Sequence, residues 1–263
     1  MNKLEKKTVV ITGASGGLGK EIAIQSAKAG ANVVLIARNN SKLAEVKAEI
    51  EEKAAVRVLA YSCDVSVSDE MANIFADLKN QGLRMDVLVN NAGFGLFEDV
   101  VDITLPESKR MLDVNVYGVI ATTRMAVPYM IAQGGGHIIN IASQAGKIAT
   151  PKSSVYAATK HAVLGFSNAL RLEMEEYGIR VTTVNPGPIA TDFFNIADVS
   201  GEYVKNVGKF MLKPERVAEK VVSAMLTNRR EINLPRWMNA GATFFAVCPR
   251  LFEAAGKKFF FKK

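Results

Sequence analysis

Tyr156 and Lys160 stand four positions apart in Tyr156-Ala157-Ala158-Thr159-Lys160, a spacing that puts both side chains on one face of a helix. A free phenol, with a pKa of about 10, is a poor base at neutral pH. An ammonium held beside it favours the phenolate and lowers that pKa. Such a group can give a proton to a carbonyl oxygen or take one from an alcohol. A Tyr–Lys pair by itself is ordinarily a pair of surface neighbours. The chemistry therefore depends on what the rest of the chain brings to it.

A second signal lies near the start, in Thr12-Gly13-Ala14-Ser15-Gly16-Gly17-Leu18-Gly19. An apolar β-branched run, 9–11, leads directly into it and a helical pattern follows. Gly13 permits a tight turn out of the strand, Gly17 lets backbone approach a pyrophosphate, and Gly19 permits close packing of helix on sheet. The helix start presents N–H groups and a partial positive charge to phosphates. A glycine string alone is a flexible turn; the strand–turn–helix context makes it a nucleotide loop.

Stepping outward, strand and helix patterns alternate. Strands are expected at 9–11, 32–36, 56–61, 87–89, 137–141, 181–184 and 232–234. Helices are expected at 18–29, 41–53, 68–79, 106–133, 153–177 and 214–228. Apolar strands flanked by helices imply a parallel sheet buried on both faces, and right-handed crossovers then make a doubly wound α/β fold of seven strands. With 263 residues and no linker, repeat or low-complexity segment, one domain is expected: residues 1–235, with 236–263 as an apolar and basic extension of it.

Composition is that of a soluble globular protein, 49% hydrophobic and 22% charged. The net charge of +7 does not describe a nucleic-acid groove, because +5 of it falls after residue 235, on Arg236, Arg250, Lys257, Lys258, Lys262 and Lys263 against Glu253. Cys63 and Cys248 have neither a disulfide framework nor metal-ligand spacing, so no metal is expected. The apolar run 8–12 is too short for a signal peptide, and 237–249 is too short to span a bilayer, which takes about 20 residues. A cytoplasmic protein is expected, peripheral at a membrane at most.

The spacing T-G-x-x-x-G-x-G resembles the short-chain dehydrogenase/reductase family, and further motifs agree with it in order. Asp64-Val65 follows the third strand, where family members contact adenine, and Asn90-Asn91-Ala92-Gly93 follows the fourth. Asn115 lies in Asp113-Val114-Asn115-Val116, Ser143 ends the fifth strand thirteen residues before Tyr156, and Pro186-Gly187 closes the sixth. The resemblance implies a catalytic set. Tyr156 is its acid/base, Ser143 holds the substrate oxygen, Lys160 also bonds the nicotinamide ribose, and Asn115 anchors a water relay. It implies cofactor contacts at Gly13, Ser15, Gly16, Gly17, Leu18, Gly19, Asp64, Val65, Asn91, Ala92, Gly93, Pro186, Gly187, Ile189 and Thr191. His137 and His161 match no catalytic position of the family and are expected to be structural, as is Cys63.

NAD-preferring relatives carry an Asp at the end of the second strand. Here Ala37 takes its place, followed by Arg38 and Asn39; a guanidinium suits an adenosine 2′-phosphate, so the expected cofactor is NADP(H). The substrate is then a small-molecule carbonyl or secondary alcohol. The chain lacks the V-D/N-G-G-like ending with which many members close a tetramer, which favours a homodimer built on the long helices 106–133 and 153–177. The same ending weakens a 3-oxoacyl reductase reading, and the Ala37-Arg38-Asn39 strand end and aromatic tail are more similar to members that reduce steroid, sphingoid or long-chain lipid ketones. Phe193, Phe194, Ile196, Tyr203, Val207, Phe210 and Met211 suggest an apolar lid. Two rival readings are a non-catalytic NADP-binding sensor and a structural protein of the membrane surface. Trp237, Met238, Phe244, Phe245, Val247, Leu251, Phe252 and Phe259–Phe261 are too many large apolar groups for a disordered end. They either pack on the domain or its dimer partner, or dock weakly in an anionic membrane interface.

Overall fold

The computed structural model describes residues 3–148, 150–198 and 200–260, with side chains as far as Ala254. Strands β1 (Thr8–Thr12), β2 (Asn32–Ala37), β3 (Val58–Ser62), β4 (Val87–Asn90), β5 (Gly136–Ile141), β6 (Ile179–Pro186) and β7 (Glu231–Leu234) form one parallel sheet in the order β3-β2-β1-β4-β5-β6-β7. This is the doubly wound α/β fold expected. Side chains alternate between the faces of the sheet. Val9, Ile11, Val33 and Leu35 pack with Ile22 of α1 (Gly17–Lys28) and Val217 and Val221 of α9 (Pro214–Ala224). Val10, Val34, Ile36 and Leu88 pack on the other face with Met71 and Phe75 of α3 (Ser68–Asn80). Successive strands add outward from β1 on one side and from β4 on the other. The crevice between the C-terminal ends of these two strands is where such sheets bind ligands.

The stretch 106–133, expected as a single helix, is broken. A capping box of Thr104 and Glu107 starts α4 (Leu105–Leu112), a π-helical turn spans Asp113–Tyr117, and α5 (Gly118–Ala132) continues. The wider turn falls on Asn115, as such bulges often do at functional positions. The stretch 153–177 resolves into α6 (Ser154–Glu173) and a 3-10 turn, Glu175–Tyr177, closed by left-handed Gly178.

The last expected helix ends early, at Ala224, because the chain turns to reach His137. The Leu226 N–H donates to Nδ1 of His137 at 2.9 Å, and Nε2 lies 2.8 Å from the Thr182 hydroxyl. Accepting at Nδ1 leaves the proton on Nε2. Burial pushes the imidazole pKa down to about 3, so His137 is a neutral cross-brace. Among the described residues His161 bonds the Ala157 carbonyl of its own helix. Cys63 and Cys248 are free thiols, and burial, with Glu70 beside it, pushes Cys63 up to about 12.

Beyond β6 come the short helices α7 (Phe193–Ala197) and α8 (Glu202–Val207), and beyond β7 come α10 (Arg236–Val247) and α11 (Pro249–Phe260). Pro249 separates the last two, as its missing N–H requires. The Lys147 ammonium ties α10 to the sheet, bonding Glu231 at 2.5 Å, Asn233 at 3.0 Å and Asn239 at 3.3 Å. The tail thus divides: Ala242 is buried, while Trp237, Phe244, Val247 and Leu251 are exposed. The side chains of Lys257 to Phe260, and residues Phe261, Lys262 and Lys263, lie outside those described. Among the described residues no helix is long and apolar enough to cross a membrane, and no cluster of His, Cys, Asp or Glu could hold a metal ion.

Candidate active site

The glycine loop leaves β1 at the crevice, and close contacts dictate its composition. Gly13 has φ +66°, and a Cβ there would lie 2.8 Å from the Ala92 Cα. A Cβ on Gly19 would lie 2.2 Å from the Gly13 carbonyl oxygen, so α1 can approach the loop only without one. Gly16 begins α1 in an extended conformation with no side-chain cap and no acid in the first turn. The N–H groups of that turn, which include those of Gly17, Leu18 and Gly19, are therefore available to an anion. The Leu18 side chain is in the core and Ser15 and Gly16 are half-buried at the rim. Thr191 closes the cleft from the β6 side, 3.3 Å from where a Gly17 Cβ would be. Ile189, nearby, bridges to Leu212. A cradle that side chains would fill, under an uncapped helix start, fits a pyrophosphate.

The loop after β4 is fastened to this cradle. The Thr12 hydroxyl accepts from the backbone of Asn91 at 3.0 Å and Ala92 at 3.1 Å. The Asn91 amide donates to the carbonyls of Thr12 and Gly13 at 3.0 and 3.1 Å. The Asn91 side chain is thus committed to holding two loops together. Thr12, in sequence merely the residue that opens the motif, is its counterpart.

At the adenosine end, Ala37 is buried and the Arg38 side chain is exposed, its guanidinium 3.9 Å from the Asp64 carboxylate. Burial alone would raise the Asp64 pKa. Bonds from the Ser66 hydroxyl and N–H and the charge of Arg38 outweigh it, and the net shift is downward. Asn39 caps α2 (Asn40–Lys53) by accepting from the Lys42 N–H. Val65 packs against Gly118 in the core, so contact with a nucleotide would fall to its backbone.

Tyr156 and Lys160 share the inner face of α6 and are buried at 8% and 6% exposure. The ammonium lies 5.7 Å from the Tyr156 ring centroid and donates to the Ile141 carbonyl at 2.9 Å. The Ser143 hydroxyl accepts from the Ala145 N–H at 3.0 Å, lies 3.5 Å from the Pro186 carbonyl and is near enough to the Tyr156 phenol to pull its pKa down. Burial raises the Tyr156 pKa, and the Ser143 hydroxyl only partly offsets it. Burial also lowers Lys160 to about 8. Desolvation is the largest influence on the phenol, and its direction is opposite to the lowering expected from an adjacent ammonium. A phenol that keeps its proton is the form that donates to a carbonyl oxygen.

Asn115 binds the β4 loop to α6. Its Oδ1 accepts from Phe94 N–H at 3.0 Å, and its Nδ2 donates to the Phe94 carbonyl at 2.7 Å and to the Thr159 hydroxyl at 3.1 Å. A Cβ on Gly93 would lie 3.0 Å from Asn115 Oδ1 and 3.7 Å from Lys160 Nζ. The structure thus brings Asn115, Gly93 and Lys160 together, with the Asn115 amide engaged by Phe94 and Thr159.

Aromatic rings roof the site. Phe97 packs on Tyr156 (5.6 Å between centroids) and Tyr203 (4.7 Å), and Phe193 packs on Tyr156 (5.9 Å). Phe194 stacks on Tyr203, and the Phe97 N–H donates to the Ala197 carbonyl at 2.8 Å. Of the residues expected to form an apolar lid, Phe193, Phe194 and Tyr203 join the ring cluster around Phe97, whereas Ile196 and Phe210 face water. Phe97 was not foreseen. Its only signal is an aromatic four residues past Gly93, and its partners are distant in sequence.

The short chain dehydrogenase pattern matches residues 7–198. The chain belongs to the short-chain dehydrogenase family. It is 37% identical over 238 residues to an NADP-dependent 3-hydroxy acid dehydrogenase of Schizosaccharomyces pombe, covering 88% of this chain and 91% of that one. It is 34% identical to 11-beta-hydroxysteroid dehydrogenase 1A of Arabidopsis thaliana, covering 94% of this chain and 73% of the relative. An alcohol dehydrogenase of Thermococcus sibiricus, solved in complex with 5-hydroxy-NADP, superposes with a TM-score of 0.79 at 27% identity, covering 88% and 96% of the two chains. As a short-chain dehydrogenase the protein is an oxidoreductase working between alcohol and carbonyl.

Proposed function

We propose that this enzyme is an NADP(H)-dependent reductase of apolar ketones, with Tyr156 as the proton donor. The observation that carries the proposal is the meeting of Ser143, Tyr156 and Lys160 beneath the Phe97–Phe193 roof. The bound cofactor supplies or takes up the hydride. Tyr156 donates its proton to the substrate oxygen and is left as a phenolate, Ser143 holds that oxygen, and the Lys160 ammonium stabilises the phenolate until a proton from solvent restores the phenol. Asn115 positions Lys160's surroundings by pinning the β4 loop.

Gly13, Ser15, Gly16, Gly17, Leu18 and Gly19 would hold the pyrophosphate, Arg38 and Asn39 the 2′-phosphate, and Asp64 and Val65 the adenine. Asn91, Ala92, Gly93, Pro186, Gly187, Ile189 and Thr191 would line the rest of the cofactor's path. The phosphate preference draws on Ala37-Arg38, on the NADP-dependent name of the fission-yeast relative and on the NADP derivative in the archaeal structure. A 3-hydroxy acid, the substrate class named for the fission-yeast protein, fits less well. Its carboxylate would need a cation, and the described roof of Phe97, Phe193, Phe194 and Tyr203 has none. A steroid-like or long-chain ketone suits these rings, and the plant relative is named for a hydroxysteroid. We place the protein in the cytoplasm as a homodimer paired through α5 and α6, whose Ile120, Ile131 and Leu172 are exposed.

Tyr156→Phe keeps the ring contacts and removes the proton. Turnover of a ketone by NADPH should fall by about 10²–10⁴, with NADPH affinity nearly unchanged. Retention of more than about a tenth of wild-type turnover would remove Tyr156 from the mechanism. A wild-type protein that binds NADPH yet reduces no ketone, aldehyde or quinone would make the chain a sensor.

A further inference from the structure

The C-terminal helices leave in water side chains of a kind that the sheet and its helices bury. Met238 sits against Gly187, while Trp237 (61%), Phe244 (47%), Val247 (74%) and Leu251 (63%) are exposed. Ring contacts run along both tail helices. Phe252 meets Phe244 at 6.1 Å and Phe245 at 5.3 Å between ring centroids. The patch also reaches the turn that follows α8, the helix that carries Tyr203 of the roof, because Phe210, 53% exposed, packs edge-on against Trp237 at 6.0 Å. Single exposed apolar residues are ordinary; a contiguous group marks an interaction site.

Charge identifies the partner. Lys205, Lys209 and Lys213 flank the Phe210 turn, and Arg236 and Arg250 open the two tail helices. None of these five forms an ion pair with a described residue. The sequence then adds Lys257, Lys258, Lys262 and Lys263, so the segment after residue 235 holds +5 of the chain's +7. A second copy covering this face through a two-fold axis would set basic rim against basic rim, which disfavours self-pairing. An apolar face within a basic rim is complementary to the headgroup and acyl boundary of an anionic bilayer.

We infer that α10, the start of α11 and the Phe210 turn form a docking face for an anionic lipid surface, which sets the lid of the substrate site at the lipid boundary. The inference does not rest on the identity of the substrate. It is tested by co-sedimenting the full-length protein, with NADPH present, with vesicles of phosphatidylcholine alone and of phosphatidylcholine containing phosphatidylglycerol. The protein should pellet with the anionic vesicles at low salt and be released in 1 M salt, where screening acts over about 3 Å. Arg236→Gln with Arg250→Gln should weaken partitioning about 25-fold, roughly five-fold for each charge. Trp237→Ser with Phe244→Ser and Leu251→Ser should abolish it. Unchanged NADPH binding by both variants shows that they fold and separates this result from any failure of the proposed reductase activity. The inference is overturned if the wild type stays in the supernatant with anionic vesicles at low salt, or if the apolar variant binds as the wild type does. It is equally overturned if the same variants dissolve an oligomer in a protein that binds no vesicle.

Discussion

The two ends of the cofactor-to-substrate path are built differently. At the glycine loop the contacts are short and polar or exclude a Cβ: four hydrogen bonds join Thr12-Gly13 to Asn91-Ala92, and Gly13 and Gly19 leave no room for a side chain. At the lid and tail, rings meet rings at 4.7–6.3 Å, with hydrogen bonds such as Phe97 to Ala197 holding a few points. The first construction tolerates one backbone path and suits a ligand part common to all dinucleotides. The second can repack, because aromatic contacts have broad minima, and suits a part that varies with the substrate.

Gly19→Ala attacks the first construction most directly. The new methyl would fall 2.2 Å from the Gly13 carbonyl oxygen and 2.5 Å from the Asn91 amide, so the loop or the helix must shift. Overpacking of this kind costs about 1–3 kcal/mol and at times more; we expect the upper end, with loss of NADPH binding. Gly16→Ala has nothing within 4 Å of the new atom and should cost under about 1 kcal/mol, the usual value of an N-cap. Chemical denaturation of both variants reads the difference. Equal stability of the two would mean that the loop is as adaptable as the lid.

Arg38→Ala probes the adenosine end of the same region with a smaller expected effect. Losing a charge-assisted bond worth about 1.5–3 kcal/mol should weaken NADPH binding about ten- to 150-fold. The exposed Arg38–Asp64 pair at 3.9 Å contributes little to stability, so the fold should be unaffected. NADH affinity should hardly move. Parallel titrations of the two cofactors decide it, and equal losses would sink the proposed phosphate contact.

The same contrast governs what could be read from the chain alone. Gly13 and Gly19 were legible because the requirement for no side chain is written as a residue type. Tyr156 and Lys160 were legible because helical spacing alone puts them on one face. The π turn at Asn115 was not, since α4 and α5 have the same helical periodicity on both sides of it and only the hydrogen-bond partners change. Phe97 was missed because it meets Tyr156, Phe193 and Tyr203 only after the sheet has assembled. Ala37-Arg38 identified a cation at the strand end, but not the nearby Asp64 that pairs with it. In the tail, composition showed more large apolar groups than a disordered end would carry. It could not divide them into those, such as Met238, that pack and those, such as Trp237, that face water.

The lid's side of the comparison is tested by Tyr203→Phe, for which the smallest change in stability is expected. The Tyr203 ring keeps its contacts with Phe97 and Phe194 in this variant, and its hydroxyl has no hydrogen-bond partner among the described residues. Burial, with Asp198 adding to it, pushes the phenol pKa up to about 12, so the hydroxyl stays protonated and able to donate throughout the neutral range. The Tyr203 phenol is half-buried, so its hydroxyl can give a hydrogen bond to water or to a ligand in the site. The variant should therefore unfold within about 0.5 kcal/mol of the wild type. Its kcat/KM for a plain apolar ketone should not decrease. For a ketone carrying a second hydroxyl, kcat/KM should fall a few-fold to about ten-fold, the worth of one neutral hydrogen bond. A loss of more than about 1 kcal/mol of stability, with both substrates affected alike, would make the phenol part of the framework. The lid would then be built on the same terms as the glycine loop.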